Sequence, residues 1–546
     1  MRIFVAQRNP IIGDLDGNLA KILESMQHAR EAKSDIVLFS ELMLCGYPPE
    51  DLALHSPFID SMMDHLEHIV QTSKGLTVIV GVIRPNLGRG GKRLLNSAAV
   101  IHNGQLLGFY DKCLLPDYDV FDEHRYFDPG RKARLWNING KRVGITICED
   151  IWKHASYIDH AHYRWDPILA FKKHRPDLLL NISASPYQFQ KLNMKVKVCA
   201  KAASTLNCPV LMCCQVGANG QIIFDGYSLY VNESGELCQL GKGFEEDEIV
   251  VDLDTSSHPI SYVQDPQANL IHALQLGVKD YFSKLRFNRA LLGISGGIDS
   301  ALVAYIAAKA LGPEMVTGVS MPSRYTNPQS RREAKQLAGM LGIQFVEIPI
   351  TTPFDTLLHL LDPHFCEKES DITEENLQAR IRGIILMALS NKFGHIVLST
   401  GNKSEIALGY ATLYGDMCGG LGVIGDVTKT KVYELCKYIN RVEKKETILH
   451  SIIEKQPSAE LKPNQIDADS LPEYHIVDAI LKGYVEEHQS SKEIAETHHI
   501  PQKQVEELIR KIHRAEYKRR QGPPILRVSK KSFGTGRRYP IVQRWN

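Results

Sequence analysis

Residues 290–300 constrain this chain more than any other stretch. An apolar run, Ala290-Leu291-Leu292, passes into Gly293-Ile294-Ser295-Gly296-Gly297-Ile298-Asp299-Ser300 and then into the alanine-rich residues 301–308. These parts read as a buried strand, a tight turn and a helix that begins at the turn. At such a junction successive backbone N–H groups and the positive end of the helix face any anion in the loop, and glycines let a phosphate come close. The loop lacks the Gly-Lys-Ser/Thr ending whose lysine reaches the terminal phosphates in ordinary NTPases. It is therefore suited to hold pyrophosphate rather than a departing γ-phosphate, and Asp299 offers the hard carboxylate oxygen that Mg²⁺ requires.

A chain of 546 residues exceeds one ordinary domain, so two or three are expected. A hydrophobic fraction of 43% and a charged fraction of 23% place it among globular proteins. Lys plus Arg number 64 against 63 Asp plus Glu, which leaves no global field to attract nucleic acid or an anionic membrane. Small-molecule chemistry remains. The best apolar run, residues 76–83, is strand-sized, and residues 1–6 enter a strand-like segment without a signal-peptide pattern. The expectation is a cytoplasmic protein with no membrane association. Its 11 cysteines are scattered, with no CxxC pair, which suits buried thiols and argues against structural zinc.

Within residues 1–254 apolar runs recur at 3–6, 36–39, 77–82, 98–102, 143–148, 178–182, 210–214 and 249–253, with helix-type spacing at 18–32 and 57–72. That rhythm predicts a layered α/β domain with a large sheet. Three polar residues fall just past strand ends, where sheet enzymes keep their chemistry: Glu41, Lys112 and Cys148. Singly each has a plain structural explanation, as a solvated glutamate, a snorkelling lysine and a core cysteine. Together they are the parts needed to open an amide: a thiol nucleophile, a carboxylate to take its proton and a cation for the oxyanion.

This set, with the words Leu38-Phe39-Ser40-Glu41, Tyr110-Asp111-Lys112-Cys113 and Ile147-Cys148-Glu149-Asp150 around it, resembles the nitrilase superfamily over most of residues 1–254. The resemblance implies an αββα sandwich and a Glu-Lys-Cys triad that forms a thioester. It implies a catalytic-site role for Glu123, as the second glutamate near the lysine. Tyr47, Tyr118, Ser185 and Lys191 fall where glutamine-using members bind substrate, with Ser183 an alternative to Ser185. Cys45, Cys113, Cys199, Cys213 and Cys214 lie outside the cysteine word and read as core. His154, His160 and His162 read as a polar surface segment, with no metal implied.

Residues 255–265 read as a linker to a second domain, 266–546. Helix spacing at 269–284 precedes the phosphate loop. Strands at 316–321, 345–349 and 396–399 then alternate with helices at 330–341 and 376–392, which predicts a doubly wound parallel sheet. The SGGxDS loop resembles the ATP pyrophosphatase family, whose members activate a carboxylate as an adenylate. Joined with Asn376-Leu377-Gln378-Ala379-Arg380-Ile381-Arg382 and Ser399-Thr400-Gly401-Asn402-Lys403-Ser404-Glu405, it is similar to the NAD synthetases, with their adenine nucleotide α-hydrolase-like fold. With the nitrilase-like half, the whole chain resembles the glutamine-dependent members.

The resemblance assigns Gly293, Ile294, Ser295, Gly296, Gly297, Ile298, Asp299, Ser300, Thr400 and Lys429 to ATP. It assigns Asp299 and Glu405 to Mg²⁺, and Asn376, Glu405, Asp416 and Lys518 to deamido-NAD. Its small-molecule partners would be ATP, deamido-NAD and L-glutamine, and homo-oligomers would form through the synthetase halves. One departure stands out. Ammonia-dependent members carry a lysine before the aromatic-Gly-Asp word, whereas this chain has Leu413 before Tyr414-Gly415-Asp416.

Two rival readings remain at this level. The adenylating half could serve another carboxylate acceptor. Residues 491–514, with the basic Lys518-Arg519-Arg520 beyond them, also have the look of a DNA-binding helix-turn-helix, which the neutral net charge disfavours. The tail 522–546 is basic and Gly/Pro-punctuated, and is expected to cover the synthetase site.

Overall fold

The computed structural model describes residues 1–88, 90–156, 163–366, 368–463, 465 and 472–545. The chain separates into two compact units, Met1–Asn269 and Leu270–Asn546.

In the first unit, alternation along each strand decides the layers. On strand Arg2–Gln7, Ile3 and Val5 face a core shared with Val143, Ile145 and Ile147, while Phe4 and Ala6 face Ile22, Met26, Met62 and Leu66. The first group comes from strand Lys141–Ile147 and the second from helices Leu15–Glu31 and Ser56–Thr72. One six-stranded sheet thus has helices on one face and a second sheet on the other. Its strand order is Asp247–Asp252, Arg2–Gln7, Ile36–Phe39, Thr77–Pro85, Leu94–His102, Gln105–Asp111. The second sheet runs Leu237–Leu240, Leu229–Val231, Val210–Cys214, Leu178–Ser183, Lys141–Ile147, Leu135–Ile138. Helices Pro167–His174 and Lys191–Leu206 cover its outer face through Phe171, Val198 and Ala202. The result is the αββα sandwich.

Among the described residues the second unit holds five strands, all parallel, in the order Gln344–Glu347, Val316–Ser320, Ala290–Gly293, Ile396–Ser399, Leu421–Gly422. In chain order this is 3-2-1-4-5. The order reverses between the first and fourth strands, and the crevice at their carboxyl ends is where such sheets bind ligands. Helix Ile298–Leu311 is apolar on all sides and buried from Ser300 to Ala308, as its alanine-rich sequence demands.

Helices Ser491–His498 and Gln502–Arg514 do not form a free DNA-reading pair. Val505, Leu508 and Ile512 are buried with Ala407 of helix Lys403–Leu408 and Val477 of helix Tyr474–Ile480. The Arg519 guanidinium donates to the carbonyl of Ala407 at 2.7 Å and to Glu516 at 2.9 Å. The tail also departs from expectation. Ile525 pairs with Gly422, and Asp426 accepts from the N–H groups of Val528 and Ser529 at 2.8 and 2.7 Å. It is stitched to the edge of the sheet, because its unpaired backbone donors find a buried carboxylate there, and no described tail residue lines the synthetase cavity. No described helix is long and apolar enough to cross a membrane.

Gly81 links this architecture to Glu41. A β-carbon there would lie 2.1 Å from the Leu42 nitrogen and 2.6 Å from the Ser40 oxygen, so only glycine lets the turn that carries Glu41 lie against the strand. Gly81→Ala is expected to destabilise the fold by about 1–3 kcal/mol through overpacking, read as a lower denaturation midpoint. Gly339→Ala, within helix Pro328–Leu341 where an added β-carbon meets nothing within 4 Å, is the control and should leave the fold as stable or up to about 1 kcal/mol more so.

Candidate active sites

Cys148 sits where strand Lys141–Ile147 gives way to the short helix Glu149–Trp152, with φ of 41° and ψ of −100°. A non-glycine residue at positive φ stores strain of about 1–3 kcal/mol and persists only when its surroundings over-determine it. Asp150 supplies that restraint. Its carboxylate accepts from the N–H of Ile147 at 3.0 Å, of Cys113 at 3.1 Å and of Leu114 at 2.8 Å, and from the Tyr110 hydroxyl at 2.9 Å. One buried side chain therefore ties the cysteine turn to the residues following Lys112. Burial raises Asp150 to about 6 in spite of these donors.

Lys112 is fully buried, and its Nζ donates to Glu41 Oε1 at 2.7 Å and to Glu123 Oε1 at 2.6 Å. Glu41 accepts further bonds from Asn96 Nδ2 at 2.8 Å and the Ala184 N–H at 3.0 Å, and Glu123 from the Tyr47 hydroxyl at 2.9 Å. Burial pulls the Lys112 ammonium down, but Glu123 and Glu41 outweigh it and hold it well above its ordinary value. Burial, with Lys112 opposing, lifts Glu123 to about 7. The Cys148 thiol is pushed up by burial and by Glu41, while Lys112 favours the thiolate.

Beside the cysteine, Glu149 is raised to about 7 by burial and accepts from the hydroxyls of Tyr118 at 2.9 Å and Tyr163 at 3.0 Å. Of the other residues expected at this site, Ser183 and Ser185 are both buried. Lys191 donates to the Pro186 carbonyl at 2.6 Å and lies over the Trp152 ring. His154 is fastened between Asp166 and Thr205 rather than displayed at the surface, because both ring nitrogens have partners at 2.9 and 2.8 Å. His160 and His162 lie outside the described residues.

In the second unit a cavity of about 310 Å³ opens at the crevice. Gly293, Ile294, Ser295, Gly297, Ile298, Asp299 and Ser300 line it, together with Thr400, Glu405, Asp416 and Lys429. The loop is tightly built: Gly296 has φ of 76°, and a β-carbon on it would stand 2.3 Å from the Ser330 carbonyl oxygen. Lys455, which also lines the cavity, braces the loop, donating to the Gly296 carbonyl at 2.8 Å and to Glu333 at 2.7 Å. Lys429 Nζ reaches Asp299 Oδ2 at 2.5 Å and Glu405 Oε1 at 3.3 Å, and Asn402 Nδ2 reaches Asp299 Oδ1 at 3.0 Å. Two carboxylates thus converge on one cation, a donor set that fits Mg²⁺ once phosphate and water oxygens complete it.

Asp416, raised to about 6 by burial, accepts from the Thr412 N–H at 2.6 Å. Gly296, Asn376 and Lys518, all expected there, do not line the cavity. Asn376 accepts from the Thr412 hydroxyl at 2.7 Å, and Lys518 donates to the carbonyls of Gly409 and Ala411, each at 2.8 Å. Arg382, which does line it, was not singled out by the sequence reading; burial lowers its guanidinium to about 10.

Two family models match the chain: carbon-nitrogen hydrolase over residues 2–258 and NAD synthase over residues 270–522. The chain is 42% identical to the glutamine-dependent NAD(+) synthetase of Synechocystis sp., covering 100% of this chain and 99% of that protein. It is 41% identical to the enzyme of the same name from Thermotoga maritima, over 100% and 99% of the two chains. The chain belongs to the glutamine-dependent NAD synthetase family. A solved member from Acinetobacter baumannii, in complex with ADP, superposes with a TM-score of 0.78 at 36% identity, covering 99% of this chain and 98% of that one. As in that family, a carbon-nitrogen hydrolase half is joined to an NAD synthase half.

If Asp150 holds the cysteine turn as described, Asp150→Asn should cut glutamine-driven NAD formation about ten-fold or more, a loss of about 1.4 kcal/mol of transition-state positioning. Ammonia-driven formation should be unchanged. Equal rates with glutamine in variant and parent would remove this role.

Proposed function

We propose that the chain amidates deamido-NAD to NAD, using ATP and ammonia released from L-glutamine. The observation that carries the reading is the pairing, in one chain, of a desolvated Glu41-Lys112-Cys148 cluster with a pyrophosphate-type loop at the switch point of a parallel sheet. In the first unit, Glu41 takes the Cys148 proton as the sulfur attacks the glutamine carboxamide. Lys112 stabilises the developing oxyanion, ammonia leaves, and water resolves the thioester. Glu123 and Asn96 hold Lys112 and Glu41 in place, and Tyr47 acts through Glu123. Glu149, with Tyr118, faces the α-ammonium of glutamine, while Ser185 and Lys191 form the rest of the glutamine pocket.

In the second unit, the loop 293–300, with Thr400 and Lys429, holds the ATP phosphates. Asp299 and Glu405 would hold Mg²⁺, which neutralises phosphate charge when bound. The nicotinate carboxylate attacks the α-phosphorus, the bond to pyrophosphate breaks, and the resulting acyl adenylate loses AMP to ammonia. Activation must come first because a carboxylate is a poor electrophile and AMP a good leaving group. Asn376, Glu405, Asp416 and Lys518 serve the dinucleotide in this reading, the first and last by shaping the 409–412 turn. Exposed Leu360, Ile384, Met387 and Phe393 suit association with a second copy.

The activity test supplies ATP, Mg²⁺ and glutamine with deamido-NAD or a panel of other carboxylates, and measures AMP, pyrophosphate and NAD. Pyrophosphate release indifferent to deamido-NAD would favour another acceptor. Cys148→Ala is expected to abolish glutamine-driven synthesis and to leave ammonia-driven synthesis largely intact; loss of both would show the cysteine's role to be misassigned. Glutamine use also carries a pH signature. Glu149 gives up its proton as pH rises through about 7, after which it can pair with the substrate ammonium. The ratio kcat/KM for glutamine should therefore rise across that range, and Glu149→Gln should flatten the rise while lowering the plateau.

A further inference from the structure

Helix Lys429–Glu443 begins with an anomaly. Its N-cap residue, Thr428, makes no side-chain capping bond, although the first N–H groups of a helix need partners. They find them on two other helices. The Lys429 N–H donates to Ser404 Oγ at 2.9 Å, and the Thr430 N–H to Asp478 Oδ2 at 2.9 Å. Thr430 Oγ1 donates to the same oxygen at 2.7 Å, and Ser404 Oγ donates to Asp478 Oδ1 at 2.5 Å. Asp478, from helix Tyr474–Ile480, is thus a cap supplied in trans. Its negative charge lies at the positive end of the 15-residue helix, which favours it.

The consequence reaches the reacting groups. Lys429 is the first residue of the capped helix, and Glu405 follows Ser404 in the chain. The two side chains that meet at Lys429 Nζ and Glu405 Oε1 therefore hang from one carboxylate. Tyr474, one turn earlier on the same helix as Asp478, presents its ring 5.3 Å from the Lys429 ammonium. Asp478 itself does not line the cavity. We propose that Asp478 is a positioning residue for the synthetase half: it sets Lys429 and Glu405 in register for the metal-bound triphosphate without touching either.

This rests on the assignment of Lys429 and Glu405 to Mg²⁺-ATP, so the test reads nucleotide binding directly. Mg²⁺-ATP binding to the full-length chain is measured by calorimetry at several Mg²⁺ concentrations, well below each variant's melting midpoint. Asp478→Ala is expected to weaken binding about ten-fold, or about 1.4 kcal/mol, and to shift the Mg²⁺ concentration for half-saturation upward. Asp478→Asn, which keeps an acceptor for the Thr430 N–H, should recover part of the loss. A folded Asp478→Ala with parental affinity and Mg²⁺ dependence would overturn the proposal, as would a variant changed in melting midpoint alone. If Asp478→Ala does not fold, Thr430→Val removes only the hydroxyl bond and is expected to give a smaller shift of the same kind; no shift would again overturn it. Parental turnover of deamido-NAD, recorded alongside, tests the amidation reading separately, since ATP binding requires no acceptor.

Discussion

A lysine ammonium stripped of water is stable only where carboxylates replace its hydration, and each half of this chain builds its chemistry on such a group. Lys112 is held by Glu41 and Glu123, Lys429 by Asp299 and Glu405. Removing a charge from water costs several kcal/mol per ion, and a well-packed apolar cluster is often as stable as a buried ion pair. Stability alone thus gives no reason to keep either arrangement. The two differ in access. Lys112 is closed in by Asn96, Tyr47 and the Ala184 backbone, so its charges are fixed before any substrate arrives. Lys429 and its carboxylates line an open cavity, where they can trade partners with an incoming cation and phosphate.

Both clusters depend on sheet geometry. Glu41, Lys112 and Cys148 each follow a strand, and Ala184 follows a fourth. A sandwich with two packed sheets brings those ends together although they lie far apart in the chain. Backbone constraint completes the site: Gly81 admits the Glu41 turn, and Asp150 holds Cys148 in a conformation that an unbraced cysteine would leave. In the second unit Gly296 plays the corresponding part. Its positive φ and its closeness to the Ser330 carbonyl let the loop curl tightly at the mouth of the crevice.

Apolar runs with clear punctuation were legible. The strand at 36–39, the helix at 57–72 and the strand at 396–399 appear within a few residues of the reading, because continuous burial leaves a strong pattern. Strand Gln105–Asp111 was expected only as the strand end before Lys112, and left no apolar run of its own because it is partly exposed at the edge of its sheet. Helix Thr351–Phe365 was missed, since it carries an internal proline, Pro363, and buries little more than Phe354. Among site residues, reactive types beside distinctive words could be found. Asn96, Asp150, Lys455 and Asp478 could not, because they act as braces. Their partners are backbone groups or side chains from 27 to 125 positions away, and nothing in an isolated Asn or Asp reveals which donor it will meet. Asp150 stood inside the cysteine word, yet its ties to Cys113 and Leu114 exist only once the sheets are packed.

The same limit bears on Leu413, where the resemblance to ammonia-dependent members implies a lysine. A missing lysine matters only if its charge is missing from the place it would occupy. Arg380 Nε donates to the Leu413 carbonyl at 3.3 Å, and Lys518 Nζ donates to the carbonyls of Gly409 and Ala411. Two cations therefore converge on the turn that Leu413 belongs to. Asp416 and Arg380 pull the Lys518 ammonium in opposite directions, upward and downward, and burial leaves it below its ordinary value. Charge acts through distance rather than through sequence position. A positive region beside Asp416 thus persists without a lysine at 413, and the leucine leaves the backbone of the turn intact, because its carbonyl accepts from Arg380 whatever side chain it carries.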